Sequence, residues 1–259
     1  MSTRTTGYFE PGVTWLHRRN PITKLLGLLW VVLAAFLLPP LALVGLVGLV
    51  AFAALTAGMF RSMLRSLRVP AVLFASILLV NACFYPGAHL VLARLGPFAV
   101  TSEGLTFGVV SAGRLLVAFS ASILFLFSTL ADDLLEALVE RGVSHRIAFV
   151  VLSTVQMVPR LQGRVDDILE AQQARGLEIG GSLVSRMRAV LPLAGPIVLG
   201  SLIDVRERTF ALEARAFGAR PERTAYRRVA DPAIDRPLRW MILAAFIAVV
   251  AVAVARPFR

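Results

Sequence analysis

Apolar residues run almost unbroken from Ile22 to Leu38, stop at Pro39-Pro40, and resume from Leu41 to Phe60. A third run extends from about Val69 to Tyr85, a fourth from Gly104 to Leu130, and a last one from Trp240 to Ala255. Because a helix rises 1.5 Å per residue, roughly 20 residues cross a hydrocarbon core of about 30 Å. Each run therefore predicts a membrane-spanning helix, the first reaching full length only with its flanks. The double proline predicts a tight turn, and His89 to Ser102, broken by Gly96-Pro97, a short loop. Two further stretches are harder to place. Ile147 to Val158 is short and carries Ser153, Thr154 and Gln156, and Ala189 to Ile203 is interrupted by Pro192 and Pro196.

Charge decides between the possible topologies. Arg18, Arg19 and Lys24 precede the first span and Arg61, Arg65 and Arg68 separate the second from the third, whereas the next loop holds only Arg94 and Glu103. Positive residues stay inside, so the N-terminus is expected in the cytoplasm. A crossing at 147–158 would export Arg160, Arg164, Arg175, Arg186 and Arg188, so both doubtful stretches are assigned to the cytoplasmic side. The expectation is an all-α integral membrane protein with five spans and an external C-terminus, or six or seven spans if either stretch crosses. Its parts are a four-span membrane domain (1–130), a region of cytoplasmic and interfacial helices (131–238), and a C-terminal span (239–259).

The middle region reads as amphipathic helices. Leu161, Val165, Ile168 and Leu169 recur at three- and four-residue spacing, with Arg164, Asp166, Asp167 and Glu170 between them, and the pattern stops near Gly176, before Gly180-Gly181. A second helix is expected through Leu202, Val205, Thr209 and Leu212, ending at Gly218 before Pro221. The two close alike, on Ala174-Arg175-Gly176 and on Ala214-Arg215-Ala216. A small residue before each arginine lets the helix end approach another backbone while the guanidinium reaches for a carboxylate or carbonyl.

Composition narrows the chemistry. An apolar content of 57% and a mean hydropathy of +0.75 exclude an ordinary soluble globule. The net charge of +11 is spread between the apolar runs, which suits anionic lipid or an acidic protein partner. No nucleic-acid partner is expected. A single cysteine, Cys83, excludes an internal disulfide framework. The one lysine, Lys24, follows Thr23, so no phosphate-binding G-x-x-x-x-G-K-[ST] loop exists, and any ATP is hydrolysed by another subunit. No resident cofactor, catalytic set or metal site is expected. His17, His89 and His145 fall in three separate segments, and no span carries the acidic residue that proton-coupled transport would need.

The paired tripeptides resemble the twin Ala-Arg-Gly signature of the transmembrane T component of energy-coupling-factor (ECF) transporters. Asn20-Pro21-Ile22-Thr23-Lys24-Leu25-Leu26 is similar to the Pro-x-x-Lys-Leu approach to that family's first span, and Val158-Pro159-Arg160 to the proline upstream of its first signature. Ala211-Leu212-Glu213-Ala214-Arg215, followed by Arg223-Thr224, matches the surroundings of the second. Ala216 departs from the usual glycine. The resemblance covers nearly the whole chain. It implies a multi-pass subunit of the plasma membrane that joins two cytoplasmic ATP-binding subunits to a small substrate-capturing membrane protein, for uptake of a vitamin or a transition metal ion. By the same resemblance Ala174, Arg175 and Gly176, with Ala214, Arg215 and Ala216, would couple to the ATPases.

Taken singly, these residues also fit plainer structural roles. Either arginine alone could complement a helix dipole, for roughly 0.3–1 kcal/mol; both together, in order, favour docking. Arg61, Arg65 and Arg68 fit lipid headgroups. Gly45 and Gly48 fit close helix packing, Asn81 a hydrogen bond between helices, and Arg114 packing or snorkelling rather than substrate contact. Asp132, Asp133 and Glu136 fit an acidic helix start. The alternative function is an integral membrane enzyme or a stand-alone transporter, its cytoplasmic arginines binding a phosphorylated substrate. Such a protein needs a cluster of reactive groups. Asp166, Asp167 and Glu170 come closest, yet they lie on a polar helix face where solvent is the ordinary neighbour.

Overall fold

The computed structural model describes residues 12, 14–86, 91–95, 98–176, 183–217 and 229–255. They form two compact units, one within residues 1–137 and 229–259, the other within 138–228. His89, Gly96-Pro97, Gly180-Gly181, Gly218, Pro221 and Arg223-Thr224 lie outside the described residues.

In the first unit, helices α1 (Pro21–Leu37), α2 (Pro40–Thr56), α3 (Phe60–Phe84), α4 (Ser102–Ser128) and α8 (Asp235–Ala255) correspond to the five apolar runs, and the short α5 (Ala131–Val139) after α4 begins in this unit and ends in the second. The start of α1 is fixed by Asn20, whose side chain accepts the Ile22 amide at 3.1 Å, and by Pro21, which has no amide to leave unpaired. Leu38 and Pro39 each precede a proline and are held extended, so α1 ends and α2 opens on Pro40. Helices α3, α4 and α8 are long and apolar enough to cross a membrane. At 17 residues each, α1 and α2 reach about 25 Å, the short end of the spanning range. Large apolar side chains point outward, Leu41 and Val69 being 85% exposed, as hydrocarbon solvent permits. The chain is a helical integral membrane protein.

Side-chain hydrogen bonds show that these helices alternate in direction. At one face Trp15 donates to Thr56 at the end of α2, Lys24 Nζ to the Ser128 carbonyl at the end of α4 (2.6 Å), and Arg239 near the start of α8 to Thr23 (2.9 Å). At the other, Thr101 before α4 donates to the Ala82 carbonyl near the end of α3. The chain thus leaves α4 and rejoins α8 at the same face. Fully buried Ala34, Ala35 and Ala54 let α1, α2 and α4 close around Val117.

Three details differ from expectation. Gly45 and Gly48 are exposed, and a Cβ built on either meets nothing within 4 Å. The close approach is made instead by Gly104 and Gly108, one turn apart on α4, where a Cβ would stand 2.3 Å from the Asn81 carbonyl oxygen and 3.2 Å from that of Leu78. Asn81 itself donates within its own helix, to the Ile77 carbonyl at 2.8 Å. Between α3 and α4 the expected loop contains a hairpin of β1 (Val91–Leu95) and β2 (Phe98–Thr101), paired antiparallel with Leu95 opposite Phe98 and an irregularity between Val91 and Ala93. Val, Leu, Phe and Thr on either side of Gly96-Pro97 supply the strand preference.

The second unit is dominated by α6 (His145–Ala174) and α7 (Leu183–Ala214). Each expected apolar stretch and its amphipathic helix are one continuous helix. Pro159 in α6 and Pro192 and Pro196 in α7 each remove a single backbone bond without ending the helix. On α6, Leu161, Val165, Ile168 and Leu169 are half-buried as their spacing predicts. On α7 the packed stripe is not the one the apolar pattern marks. Ser201, Asp204, Arg208 and Leu212 are half-buried, whereas Leu202, Val205 and Thr209 are exposed.

Candidate functional site

The six signature residues lie in the second unit, at the C-terminal ends of α6 and α7, and all are exposed. Helix α6 ends with Arg175 as its C-cap, and Gly176 turns left-handed at φ 92°, its amide donating to the Gln173 carbonyl at 2.9 Å. Helix α7 ends the same way. Ala216 is left-handed at φ 53°, its amide reaches the Glu213 carbonyl at 2.9 Å, and the Phe217 amide reaches back to Leu212 at 3.0 Å. These are the paired bonds of a Schellman ending, in which the residue after the C-cap must be left-handed. Glycine suits that position because it lacks a Cβ, and Ala216 occupies it under mild strain. The third tripeptide residue thus has a backbone role that the spacing alone did not disclose.

This ending is not confined to the signatures. Arg141-Gly142 closes α5 in the same manner, with Gly142 at φ 99° and the Val143 amide on Leu138. What separates the signature ends is the alanine before each arginine and the state of the side chain. Among the described residues neither Arg175 nor Arg215 has a carboxylate partner, whereas Arg141 is engaged.

Two contacts set the relation of these ends. Arg164 grips Asp204 through both guanidinium nitrogens, at 2.5 and 3.1 Å, and a Cβ on Gly200 would meet the Arg164 Nη1 at 3.1 Å. Phe217, immediately beyond the second signature, packs on Phe149 with ring centroids 4.7 Å apart, and lies 5.9 Å from His145. Helices α6 and α7 therefore run antiparallel, with the end of α7 beside the start of α6. From Phe149 to Arg175 the helix extends up to about 39 Å, so the two exposed arginines stand at opposite ends of the pair. Around the ion pair opens a cleft of about 680 Å³, with Arg160, Arg208, Asp167 and Glu207 on its walls. Sequence patterning set Arg164 among the polar positions of this helix and named no partner for it. The signal for its true neighbour is Asp204, an acid inside the apolar run Leu202-Ile203-Asp204-Val205.

In the first unit the residue that patterning missed is Asp235. It is fully buried and accepts from Arg19 Nη1 at 3.0 Å and from the Asn20 amide at 2.7 Å. The Asn20 side chain reaches the Ala230 carbonyl, and Arg239 pairs with Asp231 as well as bonding Thr23. These contacts clamp the starts of α1 and α8. Arg114, midway along α4, keeps its Nε buried and unpartnered among the described residues. Those residues contain no group of His, Cys, Asp and Glu suited to hold a metal.

Residues 12–226 match the family described as CbiQ, cobalt transport protein. The energy-coupling factor transporter transmembrane protein EcfT of Heliobacterium modesticaldum is 32% identical over 234 residues, 86% of this chain and 87% of that protein. The proteins of the same description from Acidaminococcus fermentans and Bacillus subtilis are 28% and 25% identical, covering 94% and 88% of this chain and 94% and 90% of their own lengths. With the match spanning both units and both arginine-bearing helix ends, the chain belongs to the CbiQ family, the transmembrane components of energy-coupling-factor transporters.

Proposed function

We propose that this subunit joins two cytoplasmic ATP-binding subunits to a substrate-capturing membrane protein in the plasma membrane, with its N-terminus cytoplasmic, and that Arg175 and Arg215 each dock one ATPase. The observation that carries this reading is the pair of matched helix ends, each offering an exposed guanidinium with no carboxylate partner among the described residues, at opposite ends of one antiparallel helix pair. Two anchors so far apart suit two copies of a partner. A guanidinium at a rigid helix end makes a bidentate contact with a carboxylate and transmits displacement with little slack. The Arg164–Asp204 pair braces the two helices, so a push on one end is passed to the other. The capture protein selects the substrate, a vitamin or a transition metal ion, and the subunit itself carries out no chemistry.

The test is co-purification and uptake in the reconstituted complex. Arg175→Glu and Arg215→Glu should leave insertion and helix content intact, weaken capture of the ATPases and abolish uptake, while Arg61→Glu does much less. A buried charged contact across such an interface is worth about 2–5 kcal/mol, so each reversal should loosen the ATPase at least 30-fold. Normal uptake by both variants would remove the assignment.

A further inference from the structure

The chain passes between its two units twice, outward along α5, whose last residues belong to the second unit, and back at Val229. In the first unit both passages are held at one place. Lys24, one turn into α1 and half-buried, donates its Nζ to the Ser128 carbonyl at 2.6 Å. That carbonyl belongs to the last turn of α4, whose carbonyls have no partner inside the helix, so a cation complements it. Ser128 and Thr129 are themselves buried, their hydroxyls 3.4 Å apart, which fixes the exit from α4. Asp133, in the first turn of α5, and Asp235, at the start of α8, both lie close enough to attract the same ammonium. Asp235 is gripped in turn by Arg19 and the Asn20 amide, on the segment that leads into α1. The end of α4 and the starts of α5 and α8 therefore converge on one side chain. No other position in the chain is lysine. An ammonium presents three donors that rotate to meet acceptors from several directions, whereas the fork of arginine is planar.

We infer that Lys24 is a positioning residue for transport, the point at which movement of the second unit is passed to α1. The inference rests on the coupling role proposed above. A pull along α5 displaces Asp133 and the end of α4, and the ammonium carries the start of α1 with them. Without it α4 and α5 lose their charged tie to α1, and the same pull is absorbed at the joint.

The experiment uses the complete complex in liposomes, with ATP hydrolysis measured beside uptake of radiolabelled cobalt(II), nickel(II) or biotin, whichever the wild-type complex accumulates. Lys24→Met keeps the length of the side chain and removes its charge. Its complex should assemble and hydrolyse ATP as the wild type does, while uptake per ATP falls about tenfold, the effect of losing one charge-assisted hydrogen bond. Lys24→Arg restores a cation and should regain most of that loss. Asp133→Asn, which leaves the Ser128 contact in place, should lower uptake per ATP about threefold. Hydrogen exchange across residues 20–37 needs no substrate: ATP should alter it in the wild-type complex and leave it unaltered in Lys24→Met. Full coupling in Lys24→Met, or the same ATP response of α1 in both complexes, would overturn the inference. So would a Lys24→Met complex that fails to assemble beside an Asp133→Asn complex that transports normally. Normal uptake by Arg175→Glu and Arg215→Glu would remove the coupling role itself, whereas their failure beside a fully coupled Lys24→Met complex removes this inference alone.

Discussion

Replacing Gly176 with alanine isolates the backbone of the first signature from everything around it. The added Cβ meets no atom within 4 Å, so the cost comes from holding an L-residue at φ 92°. The left-handed well open to such residues covers φ of about +50 to +70°, and Ala216, at 53°, sits inside it. Alanine in that well costs about 1 kcal/mol, whereas at position 176 it falls beyond the well and the cost rises to about 2 kcal/mol. Since about 1.4 kcal/mol is a factor of ten, the amide of residue 176 in Gly176→Ala should exchange with solvent roughly 30-fold faster. Ala216→Gly moves the other way, and the Phe217 amide should exchange about fivefold more slowly. Hydrogen–deuterium exchange of the full chain in nanodiscs reads both amides. Unaltered exchange in Gly176→Ala, or faster exchange at Phe217 in Ala216→Gly, would refute the view that the left-handed residue fixes these helix ends.

Asp235→Ala leaves the Arg19 guanidinium and the Asn20 amide without their buried acceptor and should cost about 3–5 kcal/mol in unfolding experiments, while Asp235→Asn, which keeps an acceptor, costs less; a loss under about 1 kcal/mol would show that the clamp is dispensable. Gly104→Ala sets a Cβ 2.3 Å from a backbone oxygen that has no rotamer to escape into, so α4 must shift away from α3 at a cost of about 1–3 kcal/mol. Gly45→Ala, facing open space, should change stability by no more than about 0.5 kcal/mol, and equal thermal shifts for the two would contradict the packing described.

The five apolar helices were legible because each run is long, nearly free of interior charge and bounded by proline, glycine or arginine. What the pattern could not show is which neighbour each helix chooses. Hydrocarbon does not drive apolar faces together, so the stripe that packs need not be the most hydrophobic one. Helix α7, which lies outside the runs assigned to the membrane, departs from its pattern for another reason: Asp204 is held by Arg164 on α6, and Leu202 and Val205 are left exposed. Among the membrane helices the glycines make the point, since Gly45 and Gly104 look alike in sequence and only the structure shows which has a backbone against it. The signature arginines could be found because their tripeptide recurs. The reason for its third residue could not, because a left-handed φ leaves no mark when alanine takes the place of glycine. Asp235 escaped notice because an acid at a helix start has an ordinary cause, and its partners lie at the far end of the chain.

That separation has a consequence for synthesis. Arg19 and Asp235 are 216 residues apart, and α1 is made long before the helix that completes its setting. Until α8 enters the membrane, the Arg19 guanidinium and the Asn20 amide have no carboxylate to meet, and one flank of α1 stays open to whatever diffuses past. Closure of the clamp is therefore a record that translation reached the last helix. A product broken off anywhere in residues 138–228 carries an uncovered cation and an unfilled groove at the head of its first helix, features that set an unfinished chain apart from a finished one before any partner is met.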